Sequence, residues 1–106
     1  MAIREISVGE LRERGTRSSV LLDVRSPEEF AEGHLPGAVN VPLERLAAVA
    51  GGYAGRQVVA VCRSGNRSVA AARVLSAAGA EAWSLAGGTQ AWVAAGNPVV
   101  QGADHR

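Results

Sequence analysis

The chain has 106 residues, 47% of them hydrophobic and 20% charged, with a formal net charge of +1 at pH 7. That length leaves room for one hydrophobic core, so one domain over residues 1–106 is expected, its core running from about 3 to 100. A charge so near zero gives no reason to expect nucleic acid or an anionic membrane as partner, and no apolar run approaches bilayer-spanning length.

Ile3–Ile6 reads as a first strand, and Ser7 with Glu10 forms a capping box for a short helix to about Arg14. After the Gly15–Ser19 loop, Val20–Val24 is an apolar run of strand length, as expected of a strand buried on both faces. Ser26, Pro27 and Glu29 begin a second capped helix that Gly33 ends. Ala38–Val41 is a short strand closed by Pro42, followed by a helix over Leu43–Val49 with Gly51-Gly52 as its stop. Val58–Val61 is a buried strand, and Cys62-Arg63-Ser64-Gly65-Asn66-Arg67-Ser68 follows it directly. The Ala-rich run Ser68–Ala78 predicts a largely buried helix with Gly79 at its C-cap, because Arg73 is its only charge. Glu81–Leu85 is a last strand, Gly87-Gly88 turns the chain into a helix over Thr89–Ala95, and Gln101–Arg106 reads as a frayed tail. Strands separated by helices imply crossover connections, hence an α/β fold with a mostly parallel sheet of about five strands and helices on both faces.

Cys62 is the only cysteine. It excludes an internal disulfide, and a working thiol fits a reducing compartment, which makes the cytoplasm the expected location; Met1 leads straight into Ile3, Glu5 and Ile6 with no leader pattern. A lone cysteine is commonly a small buried hydrophobe. Here it stands at a strand end, where open α/β folds bind ligands, and the free N–H groups of the following helix favour negative charge in front of it. Gly65 allows the turn that points successive amides inward, and Arg63 and Arg67 add two permanent charges. Such surroundings lower a thiol pKa and expose the thiolate, the nucleophilic form.

Four segments in order carry a resemblance: Leu21-Leu22-Asp23-Val24-Arg25-Ser26-Pro27-Glu28-Glu29-Phe30, Gly33-His34-Leu35-Pro36-Gly37-Ala38-Val39-Asn40-Val41-Pro42, the Cys62 loop, and Leu85-Ala86-Gly87-Gly88-Thr89-Gln90-Ala91-Trp92. Together they identify the chain as similar to single-domain rhodaneses, the thiosulfate sulfurtransferase-like family, from about Ile3 to Val100. The resemblance implies the rhodanese three-layer fold and a Cys62 persulfide formed from thiosulfate or a related donor, with passage of the sulfur to a thiol, cyanide or protein-thiol acceptor. It implies no cofactor. Arg63, Ser64, Gly65, Asn66, Arg67 and Ser68 would then stabilise the persulfide, Arg63 attracting an anionic donor and Arg67 bracing the loop. Ser64 and Ser68 are candidate donors to sulfur, and Ser68 a candidate helix cap.

Asp23 and Arg25 end a buried strand, where charges need partners, and the resemblance implies a structural polar network near the reactive loop that could include Arg67; Glu29 is read as a cap. His34 could serve as a general base, but a role in organising its Gly-His-Leu-Pro-Gly turn is preferred. His34, His105 and Cys62 have no metal-ligand spacing. Trp83 and Trp92 read as core packing. Three alternatives remain: a noncatalytic binding module, a partner-dependent sulfur carrier, and a phosphatase or arsenate reductase. Only Arg63, Ser64, Gly65 and Asn66 separate Cys62 from Arg67, one residue fewer than in the phosphate-cleaving relatives, and the smaller ring suits a single extra sulfur atom.

Overall fold

The computed structural model describes residues 3–103. Its elements are β1 (Arg4–Ile6), α1 (Val8–Arg14), β2 (Val20–Asp23), α2 (Pro27–Glu32), β3 (Val39–Asn40), α3 (Leu43–Val49), β4 (Gln57–Val61), α4 (Asn66–Ala77), β5 (Glu81–Leu85) and α5 (Gly88–Ala94). The five strands form one sheet in the order β1-β5-β4-β2-β3, every neighbouring pair parallel. This is the α/β architecture expected from alternating strands and helices.

Strand alternation assigns the two cores. Val58, Ala60 and Cys62 join Leu22, Val24 and Ala82 on the face covered by Leu46 of α3 and Ala71, Ala72 and Leu75 of α4. Val59 and Val61 point the other way, with Leu21 and Leu85, against Leu11 of α1, Phe30 of α2 and Trp92 of α5. Cys62 is thus a continuation of β4's alternation, and that parity aims it at the helix that starts beyond its own loop.

The local signals produced the expected caps. Ser7 and Glu10 form a complete capping box for α1, as do Ser26 and Glu29 for α2, with Pro27 in its first turn. Elsewhere the chain departs from the sequence reading. Gly51-Gly52 does not stop the chain's winding after α3; a 3-10 turn carries it on from Ala50 to Tyr53. The helix after the cysteine starts at Asn66, before Ser68, because Gly65 (φ 107°) takes the left-handed N-cap position that a side-chain-bearing residue rarely adopts. Nor is α4 largely buried: Ala70, Arg73, Ser76 and Ala77 face solvent, small side chains serving as its outer surface. Trp83 is half-buried beneath Arg4 and Arg14, whose guanidinium carbons lie 4.3 and 4.6 Å from a ring centroid, so it roofs the β1 edge by cation–π contact. The segment expected to fray is hydrogen-bonded through Gly102, whose N–H donates to Ala31 O (2.8 Å), while His34 and Val100 exchange two backbone bonds of 2.9 Å. His105 and the end of the tail lie outside the described residues.

Candidate active site

At the C-terminal edge of the sheet the connections diverge: the chain passes from β2 outward to β3, and from β4 the opposite way to β5. Open parallel sheets bind ligands at such switch points. Cys62 stands there, 1% exposed. The loop then folds back over it. Gly65 N–H donates to Cys62 Sγ at 3.1 Å and Ser68 N–H at 3.4 Å, while Ser68 Oγ lies 3.5 Å away, accepting from the thiol and positioned to donate to the thiolate.

Burial pushes the Cys62 pKa up, since a thiolate is poorly solvated there. The hydrogen bonds from the Ser68 side chain and from the Ser68, Gly65 and Ser64 amides outweigh it, and the thiol lies below its usual value. Hydrogen bonds, rather than the arginine charges of the charge-based expectation, are the leading causes of that lowering, and the attraction between Arg67 and Cys62 is a lesser one. Arg67 points elsewhere: its two terminal nitrogens donate to Glu29 Oε1 and Oε2 at 2.7 and 2.8 Å. This fork holds the Glu29 carboxyl down at about 2 and raises the Arg67 pKa, with Cys62 and Asp23 as lesser influences on the arginine. Arg67 therefore does not complete the network of Asp23 and Arg25. Those two pair with each other (2.8 Å), and Arg25 Nη2 also donates to Gly33 O (2.8 Å). Glu29 is more than a cap: the same carboxylate closes the Ser26 box and anchors α4 through Arg67.

Ser68 is not the helix cap but sits in the first turn, fully buried. Its hydroxyl meets Gly65 O (3.1 Å) and Ser84 Oγ on β5 (2.7 Å) as well as the sulfur. Ser64 and Asn66 are exposed on the rim, and Ser64 acts on the sulfur through its backbone alone. Arg63 is exposed and lines a groove of about 560 Å³ with Arg25, Glu29, Glu32, Gln90 and Val93. His34 lies apart, stacked on Phe30 (3.6 Å between centroids) with Nδ1 2.7 Å from Phe30 O. It makes no hydrogen bond to Cys62 among the described residues.

The start of α5 supplies what the sequence reading missed. Thr89 donates to Cys62 O from its N–H (2.8 Å) and its hydroxyl (3.1 Å), and Gln90 N–H donates to Arg63 O (3.0 Å). Gly88 makes this docking possible. At φ 58°, a Cβ there would stand 2.6 Å from Arg63 O and closer still to Cys62 O. Two further partners had readable signals: Ser84 shares β5's alternation with Ala82, which aims it under α4, and Glu29 is an acid in a first turn with more than one face to serve.

Residues 7–95 match the rhodanese-like domain family, and the chain belongs to it. A sulfurtransferase of Allochromatium vinosum is 34% identical over 105 residues, covering 92% of this chain and 95% of that protein. An HTH-type transcriptional regulator of Mycobacterium tuberculosis is 41% identical over 99 residues; the match takes 88% of this chain but 42% of the regulator. The fold is that of a rhodanese-related protein from Thermoplasma volcanium, with a TM-score of 0.85 at 33% identity over 92% of this chain and 97% of that one.

Proposed function

We propose that the protein is a sulfurtransferase that carries a sulfane sulfur on Cys62. The observation behind this reading is the convergence of the Gly65 and Ser68 donors on one sulfur whose pKa they lower. In the first half reaction the Cys62 thiolate attacks the outer sulfur of thiosulfate; the S–S bond breaks and sulfite leaves with the electron pair. In the second, cyanide or a thiolate attacks the terminal sulfur and regenerates the Cys62 thiolate. Preorganised amides stabilise the anionic terminal sulfur between the two, so no separate acid or base is needed. Arg63, exposed at the groove, attracts the anionic donor, and Arg67 holds the loop onto α2. A single cysteine requires that the acceptor come from outside the chain.

One observation favours a second reading. Val93, 51% exposed, lines the groove beside Arg63 and suits an apolar contact with a protein acceptor, which would make the chain a partner-dependent sulfur carrier. Intact-protein mass after incubation with thiosulfate tests both, with Cys62→Ser as control. A gain of one sulfur, about 32 Da, on the native chain only is expected. No gain with thiosulfate, polysulfide or a low-molecular persulfide would overturn the persulfide mechanism; a gain without turnover on cyanide or small thiols would select the carrier.

A further inference from the structure

A second concavity lies at the opposite end of β4. It is a cleft of about 720 Å³ where Arg17, Ser19 and Val20 meet Val39 of β3 and the Tyr53 and Arg56 side chains that precede β4. A shallower hollow continues from it, lined again by Arg17, Ser19 and Arg56. No aspartate or glutamate lines either one. Arg17 and Arg56 are exposed, and neither belongs to an ion pair among the described residues. The acid nearest by register is Glu81, opposite Gln57 on β5, and it is absent from both linings. Arg56 instead lies 5.9 Å from the Tyr53 ring centroid.

Two guanidinium groups on one concave wall repel each other. An anionic ligand relieves that repulsion. A phosphate group offers oxygens that match arginine's planar fork. The volume is that of a small-molecule site, and Val20, Val39 and the Tyr53 ring give it an apolar side.

We infer that this cleft binds a small organic phosphate monoester, Arg17 and Arg56 holding the phosphate, with the organic body along Val20, Val39 and Tyr53. The inference stands apart from the chemistry of Cys62, because the five residues of β4 separate the two places by about 17 Å at roughly 3.3 Å per residue.

The test is an amide-resolved NMR titration of Cys62→Ser protein, so that any anion at the thiol loop is seen separately, with inorganic phosphate and then phenyl phosphate. Saturable shifts at Thr16–Val20 and Arg56–Gln57 are expected, phenyl phosphate binding several-fold tighter than phosphate, and Arg17→Ala or Arg56→Ala each weakening it about tenfold. Both arginines are exposed, so these variants keep the fold and its spectrum. Shifts confined to residues 62–68, no saturation by about 20 mM, or affinity that survives both substitutions would overturn the site. Equal affinity for the two probes would overturn the monoester and leave free phosphate.

Discussion

The two ends of β4 use the same residue type in opposite ways. At the C-terminal end, Arg25 and Arg67 are spent on Asp23 and Glu29, and the Cys62 environment is built from hydrogen bonds; at the N-terminal end, Arg17 and Arg56 line a cleft and belong to no ion pair among the described residues. The difference teaches that charge count says little about where a protein's anion chemistry lies. What matters is which cations the fold has already neutralised. Near the thiol, the Arg25 and Arg67 guanidinium groups are structural clasps while Arg63 stays open at the groove, and backbone and hydroxyl donors tune the sulfur.

The comparison breaks most severely at Gly88. Gly88→Ala places a methyl against the Cys62 and Arg63 carbonyls at a left-handed φ, and is expected to destabilise the fold by about 1–3 kcal/mol and to detach α5 from the loop, read as a lowered Tm with faster alkylation of Cys62. Ser68→Ala removes one donor from the sulfur and orphans Ser84 Oγ. The pH profile of Cys62 alkylation should move upward, toward an ordinary thiol, and stability should fall by about 1–2 kcal/mol. An unchanged profile would return the tuning to the arginines. Arg63→Ala is milder: the apparent KM for thiosulfate rises about threefold with little change in kcat, whereas a fall in kcat would assign Arg63 to the transition state.

The smallest effect belongs to the Glu29–Arg67 clasp, which is partly exposed. Glu29→Gln keeps the amide that can close the Ser26 box but loses the ion pair, at about 0.5 kcal/mol. Its sign with pH follows from the lowered carboxyl. The clasp contributes fully above the usual value of 4.5 and fades as pH falls toward about 2, so the native chain and the variant converge in acid, which parallel urea titrations would register.

What the sequence made legible was local. Both capping boxes, the span of α3 and the strand leading into Cys62 follow from residues within a few positions of one another. The helix start at Asn66 differs from the expected one because Ser68 offers a familiar cap, while the left-handed Gly65 N-cap leaves no side-chain signature. Long-range partners were harder still. Arg67 meets Glu29 across 38 positions and Thr89 meets Cys62 across 27, and nothing in either neighbourhood names the other. For the same reason the candidate site was legible as a loop but not as a braced loop.

That bracing also orders events during synthesis. Cys62 leaves the ribosome ahead of Ser84, Thr89 and Gln90, the residues that secure Ser68 and the loop carbonyls from below and behind. A nascent chain halted before α5 lacks that brace, and the tuned thiol arrives only when α5 docks. The tuning of Cys62 is thus acquired later in translation than the cysteine itself.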